Sequence, residues 1–203
     1  CTFIQAGSSE MFDSSAAPPY NLDTNMKPRS PYAESKKVLY EKVIKLRNEL
    51  NWDIKNAVLF NHESEFRDEN YLFQKIILHS LRAEKNLNTK LELGSLDMAR
   101  DWSFAGDITK GMINFAFSNV KEDLIFASGQ ENTIKQLVEI ISELSGINIL
   151  DNIQINEQLL RSGDPISSYA DTNRTFETLN WETKKSFEDL VLYCYKKQNN
   201  FLN

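Results

Sequence analysis

Ser30-Pro31-Tyr32-Ala33-Glu34-Ser35-Lys36 opens the stretch whose reading decides the fold. Ser caps helices well and Pro is tolerated at the first helical position, so a helix is expected from here to about Leu50. Val38, Leu39, Val43, Ile44, Leu46 and Leu50 supply it with a broad apolar face among Lys and Glu. Working outward, Thr2 to Ala6 is a short, mostly apolar run that ends in Gly7-Ser8-Ser9-Glu10, the pattern of a buried strand and a small-residue turn. Met11 to Arg29, with Pro18, Pro19 and Pro28, reads as a loop. On the other side, Asn56-Ala57-Val58-Leu59-Phe60 reads as a second buried strand. Strand, helix, strand is the rhythm of a parallel α/β sheet.

The same reading carries on down the chain. Asn61 to Asn70 is polar and loop-like, and Tyr71 to Ala83 is a helix with Leu72, Ile76, Ile77 and Leu81 on one side. Lys90–Leu93 and Leu124–Ala127 read as short strands, and Asp107–Phe117 as a helix. Thr133-Ile134-Lys135-Gln136 has the form of a capping box and starts a helix to Leu144. Thr172–Leu179 and Ser186–Lys197 close the chain as helices. The expected organisation is one α/β sheet unit over 1–60, with 61–203 forming mainly a smaller α/β cap that sends segments back to the sheet.

The bulk numbers exclude several classes. The chain has 203 residues, 41% hydrophobic and 26% charged, as in an ordinary globular protein. A net charge of −6 argues against general nucleic-acid binding, which draws its affinity from Lys and Arg on phosphates. No apolar run reaches membrane-spanning length. Cys1 and Cys194, the only cysteines, make neither a metal-spacing motif nor a disulfide framework. A reduced, cytoplasmic setting and no metal are the expectations. Trp52, Trp102 and Trp181 read as core or loop anchors.

Tyr32 and Lys36 lie one helical turn apart and share a face. Tyr ionises at about pH 10 and is a weak base at neutrality. A nearby ammonium favours the phenolate, so the pair can take a proton from a sugar hydroxyl as hydride leaves its carbon. Tyr-x-x-x-Lys also recurs in helices by chance, so its context decides. Here it follows a strand that ends in Ser8-Ser9-Glu10.

In that arrangement the chain resembles the extended short-chain dehydrogenase/reductase family, with a Ser or Thr at a strand end and Tyr-x-x-x-Lys on the next helix. Further strings narrow the resemblance to GDP-mannose 4,6-dehydratases. Ser8-Ser9-Glu10-Met11-Phe12 is similar to their Thr-Ser-Glu-Leu-Tyr, and Leu59-Phe60-Asn61-His62-Glu63-Ser64 to their Leu-Phe-Asn-His-Glu-Ser. Leu93-Gly94-Ser95-Leu96-Asp97, Arg100-Asp101-Trp102 and Leu179-Asn180-Trp181 also match their strings, in order along the chain.

The resemblance implies the C-terminal part of a Rossmann-like parallel sheet flanked by helices, with a substrate-binding cap. It implies NADP as cofactor and a GDP-sugar as substrate, GDP-mannose first, with another such as GDP-mannoheptose as the alternative. Tyr32 and Lys36 would deprotonate the sugar 4-hydroxyl and touch the cofactor. Ser8 would orient the 4-oxygen, with Ser9 as its competitor and a substrate contact. Glu10 would remove the C5 proton and assist loss of the C6 hydroxyl as water. Read on its own, Glu10 is equally a solvated carboxylate after a strand. His62 and Arg67 match cofactor contacts; Asn61, Arg100 and Arg161 match substrate contacts. Arg100 suits a diphosphate through its planar fork, or pairs structurally with Asp97 or Asp101. A homodimer or homotetramer is implied.

Two departures qualify this. The family continues Asn-His-Glu-Ser with Pro-Arg-Arg-Gly, whereas this chain has Glu65-Phe66-Arg67-Asp68. No Gly-x-Gly-x-x-Gly occurs in the chain, the turn that brings backbone N–H groups to a dinucleotide pyrophosphate. With a first residue that is not Met, the expectation is a truncated polypeptide that alone binds NADP poorly and is inactive. A non-catalytic relative is the competing reading.

Overall fold

The computed structural model describes residues 1–85, 90–160 and 162–202. Three parallel strands form its central sheet: β1 (Phe3–Ser8), β2 (Ile54–Leu59) and, in chain order after elements named below, β7 (Leu124–Phe126), arranged β1-β2-β7. Phe3 to Ser8 stand opposite Ile54 to Leu59 in register, and Ala57 to Leu59 opposite Leu124 to Phe126. Helix α1 (Pro31–Leu50) links β1 to β2. The Ser30 hydroxyl accepts from the Ala33 N–H at 3.1 Å, as its cap position requires.

Side chains alternate across this sheet with the two-residue period of a strand. Val58, Phe60 and Ile125 face one cluster with Met11, Tyr20 and Tyr40; Ala57, Leu124 and Phe126 face another with Ile108, Phe115 and Trp181. Both faces are therefore covered, as parallel sheets demand. α1 turns Ala33, Tyr40 and Val43 inward, while Val38, Leu39 and Leu50 are about half exposed. The expected single apolar face thus splits: at 100° per residue, 33, 40 and 43–44 point at the sheet, and 38 and 39 point away from it.

The other elements are β3 (Asn61–Glu63), α2 (Leu72–Glu84), β4 (Leu91–Leu93), β5 (Ala99–Arg100), β6 (Trp102–Phe104), α3 (Ala105–Phe117), β8 (Asn132–Thr133), α4 (Ile134–Ser145), β9 (Ile153–Ile155), β10 (Ser167–Ser168), α5 (Asn173–Leu179) and α6 (Phe187–Leu202). α2, α4 and α6 pack around a third cluster that includes Ile76, Ile77, Leu137, Ile141, Leu190 and Val191. The capping box at Thr133 is present in full, with Gln136 returning to the Thr133 N–H. Asn61–Glu63, expected as loop, is a strand paired with β6; a three-residue polar strand has no periodicity to read. Trp102 stacks on Phe187 at 5.6 Å, and Trp181 packs against Phe126 at 5.1 Å. Trp52 is instead 54% exposed, so it anchors no core.

Buried polar groups pin the layers together. Asp123 accepts Arg47 Nη1 at 2.6 Å and the Asn56 N–H at 2.8 Å, tying α1 to β2 and to the approach to β7. The ammonium of Lys55, fully buried, donates to the carbonyls of Phe115 and Ser118 at 2.9 and 3.0 Å. It closes the carbonyl end of α3, where unpaired acceptors need a donor. Among the described residues no helix is long and apolar enough to cross a membrane.

Candidate active site

The carboxyl ends of β1 and β2 open onto a cleft of about 880 Å³, the position at which open α/β sheets bind ligands. Ser8, Ser9 and Glu10 reach it from the end of β1, Tyr32 and Lys36 from the first turns of α1, and Asn61 and His62 from β3, just after β2. Arg67 lines it from the following loop, and Arg100 and Ser168 from the facing wall. The structure thus brings Ser8, Ser9, Glu10, Tyr32, Lys36, Asn61, His62, Arg67 and Arg100, all sequence-derived, to one cavity, with Ser168 added by the fold. Arg161 lies outside the described residues; the adjoining Ser162 to Pro165 line the cleft.

Local geometry explains the near wall. β1 ends in a 3-10 turn, Ser9–Met11, capped by the Ser8 hydroxyl, which accepts from the Glu10 N–H at 3.2 Å. Met11 is fully buried and anchors the turn, leaving Glu10 exposed. Ser8 is buried and Ser9 only partly so. One turn along α1, the Lys36 ammonium lies 5.6 Å from the centre of the Tyr32 ring and donates to the Ala6 carbonyl at 3.0 Å. That bond crosses from α1 to β1 and holds the ammonium at the strand end. Tyr32 is 52% exposed, with its ring at the cleft.

After β2, His62 Nδ1 lies 2.9 Å from the Phe60 carbonyl. A carbonyl only accepts, so Nδ1 carries the proton and Nε2 of the neutral ring is an acceptor. Glu63 points the other way and is buried; burial pushes its carboxyl up to about 7, against the pull of Arg67. Arg67 Nε stands 3.3 Å from Glu63 Oε2, and its guanidinium stacks over the Tyr71 ring at 3.5 Å from the centre.

On the far wall, Arg100 pairs with neither Asp97 nor Asp101. It donates to the carbonyls of Ala99 and Pro165 at 2.7 and 3.0 Å, and its Nη2 lies 3.8 Å from Asp164. Asp101, fully buried, accepts from the N–H groups of Ser128, Gly129 and Ala170 and from the Ser128 hydroxyl. Burial pushes its carboxyl up while those donors hold it down. Gly129 takes φ +74° to present its N–H, a conformation that suits Gly.

A sequence model described as GDP-mannose 4,6 dehydratase matches residues 1–193. The chain belongs to the GDP-mannose 4,6-dehydratase family. It is 35% identical over 189 residues to GDP-mannose 4,6 dehydratase 1 of Arabidopsis thaliana, covering 93% of this chain and 52% of that protein. With GDP-mannose 4,6 dehydratase of Drosophila melanogaster it shares 30% identity over 207 residues, covering 93% and 52%. The chain therefore spans about half the length of these relatives.

Solved structures agree on the family's fold. RMD from Pseudomonas aeruginosa complexed with NADPH superposes with TM-score 0.89 at 19% identity, covering 98% of this chain and 67% of that one. A dTDP-glucose 4,6-dehydratase from Bacillus anthracis in complex with NAD gives 0.87 at 19%, covering 98% and 62%. These neighbours establish the Rossmann-type α/β architecture for this member of the GDP-mannose 4,6-dehydratase family. Sequence reasoning did not single out Tyr20, Arg29, Tyr71 or Asp164, which also line the cleft. Arg29, one residue before the Ser30 cap, had a legible signal in its position beside the helix entry; Tyr20 and Asp164, in Pro- and Gly-bearing loops, had none.

Proposed function

We propose that the protein carrying this chain is a nucleotide-sugar 4,6-dehydratase acting on a GDP-sugar, GDP-mannose in the first instance. The observation that carries this reading is the convergence of Ser8, Glu10, Tyr32 and Lys36 on one cleft wall in a chain of this family. Residues 1–60 form the sheet side of the site, and 61–203 mainly the substrate-binding cap.

A nicotinamide dinucleotide suits the near wall. Lys36 keeps an ammonium with three donors at the strand end, only one of them directed at Ala6. Tyr32 and His62 add further polar atoms, and Arg67 a guanidinium. NADP is the form we assign; RMD, similar in fold, was solved with NADPH. Held there by Tyr32, Lys36, His62 and Arg67, the group would supply reversible hydride transfer between sugar C4 and C6.

The chain's own residues supply the proton chemistry. Tyr32 takes the proton of the sugar 4-hydroxyl, with the Lys36 ammonium stabilising the phenolate. Ser8 donates its hydroxyl to the 4-oxygen and holds it in line. The resulting ketone acidifies C5; Glu10 removes that proton and passes it to the C6 hydroxyl, which leaves as water, and a proton from solvent closes C5 once C6 has taken up hydride. Tyr32 then returns its proton to solvent as the 4-keto-6-deoxy product leaves. Asn61 and Arg100 contact the nucleotide sugar.

The exposed Val38, Leu39 and Leu50 of α1 support self-association into a homodimer or homotetramer. Cys194, buried, and Cys1, both unpaired, suit a reducing cytoplasm. The test is incubation of the full-length protein with NADP and either GDP-mannose or GDP-mannoheptose, following the keto product. Product from GDP-mannose supports the reading; a keto product from neither sugar removes it.

A further inference from the structure

Behind the near wall lies a buried carboxyl with no part in the proton chemistry. Glu63 is 2% exposed and does not line the cleft, but its neighbour in space, Arg67, does. Arg67 Nε stands 3.3 Å from Glu63 Oε2. Both atoms are buried, and neither has a hydrogen-bond partner among the described residues. The two charges are in contact, yet they are not aligned as a bond. A buried ion pair offsets its desolvation only with good geometry, so this one is held below its best strength.

The guanidinium is held from a second side. It lies over the Tyr71 ring, 3.5 Å from the centre, and Tyr71 also lines the cleft. A guanidinium is planar. With its face on Tyr71 and its Nε toward Glu63, it carries its two terminal amines at the other end of the plane. The remaining groups around Glu63 leave Arg67 as its counter-charge. Phe104 stands opposite it on β6. On α6, burial pushes the Cys194 thiol up to about 12, so it is neutral. Glu65 accepts the Tyr193 hydroxyl at 2.7 Å, and Lys185 sits over the Tyr193 ring. On α3, Asp107 accepts the N–H groups of Lys184 and Lys185.

We propose that Glu63 is a positioning residue: it seats the Arg67 guanidinium against Tyr71 so that the terminal amines meet an anionic, phosphate-bearing ligand in the cleft, and arrival of that ligand puts a proton from solvent on Glu63. This rests on the nucleotide reading in that the ligand carries phosphate. The anion competes for the charge of Arg67. Glu63 then loses part of its counter-charge in a buried place, and a buried carboxylate so deprived takes up a proton. Its neutral form still offers Nε a carbonyl oxygen, so the seat is kept. The sign follows. The bound state holds the proton more tightly than the free state, so affinity falls as pH rises through the free protein's value of about 7.

The experiment is titration calorimetry of NADP and, separately, GDP into the full-length protein between pH 6 and 8, with thermal unfolding of each variant alongside. The two ligands tell which one Arg67 meets. Glu63→Gln keeps the acceptor oxygen and cannot titrate. For the ligand at Arg67, it should bind as wild type does at pH 6 and about three- to tenfold more tightly than wild type at pH 8. Titration of His62 or of the ligand's own phosphate is common to both proteins and cancels in that ratio. In buffers of different ionisation enthalpy at pH 7, wild type should take up more protons on binding than Glu63→Gln. Glu63→Leu keeps the bulk without the acceptor and should bind about tenfold more weakly than Glu63→Gln at every pH. A carboxyl that serves packing alone would move the melting temperature and leave the Glu63→Gln to wild-type ratio constant from pH 6 to 8; that result overturns the inference. If wild type binds neither NADP nor GDP, the nucleotide reading falls together with it; if it binds them and the ratio is flat for both, only the inference falls.

Discussion

The ammonium of Lys36 stands 5.6 Å from the centre of the Tyr32 ring, one helical turn away, with one hydrogen bond to the Ala6 carbonyl. That bond fixes the lysine relative to the strand that ends in Ser8. The phenol, the ammonium and the strand-end hydroxyl are thus held by one helix–strand contact, and Tyr32→Phe tests it. Turnover should fall by about 10²- to 10⁴-fold, the worth of general acid–base catalysis, while GDP-sugar affinity stays within a fewfold of wild type. Undiminished turnover would remove Tyr32 from its role.

Glu10 emerges exposed from a turn whose capping is done by Ser8. Glu10→Gln keeps the side-chain shape and loses the base. In deuterated water the wild-type product should carry solvent deuterium at C5, and the variant should lose turnover on the order of 10²-fold or more. Elimination at the wild-type rate in Glu10→Gln assigns the C5 proton to another group.

Glu63 gives a stability prediction with a definite pH window. Its folded pKa is raised, from 4.5 to about 7, so the folded state favours the neutral acid. Its contribution is full below the unfolded value and is lost as pH rises through about 7. Glu63→Gln stays neutral throughout, so its stability relative to wild type should climb between pH 4.5 and 7 and then level off, by about 3 kcal/mol. Urea melts of both proteins at several pH values read this directly; parallel curves would mean that Glu63 ionises as if it were in water.

Asp101 accepts three backbone N–H groups from the segments that support the far wall. Asp101→Ala strands those buried donors and should lower unfolding stability by about 3 kcal/mol or more. Because Ala170 pairs with Tyr20 across the cleft wall, GDP affinity should drop as well. A urea midpoint equal to wild type would show that solvent satisfies these groups without cost.

Much of this protein is written locally. Ser30 and Thr133 announce helices because a cap needs only a side chain within three residues of its N–H. The β1-α1-β2 unit is legible because strand and helix periods differ. Ser8, Glu10, Tyr32 and Lys36 are readable as a set because they occupy a strand end and the next helix start, whose separation parallel topology closes. The two- and three-residue strands, the burial of Glu63 and the break of the apolar face at Val38 and Leu39 left no such mark. They depend on partners far along the chain, as Arg100 depends on Asn132 and Asn61 on Trp102. Convergence of Tyr20, Arg29, Arg100 and Asp164 on the cleft is likewise a property of tertiary packing alone: residues from two loops and a strand become neighbours only once the sheet and the helices around it have closed, and no local pattern encodes a distance that long-range burial sets.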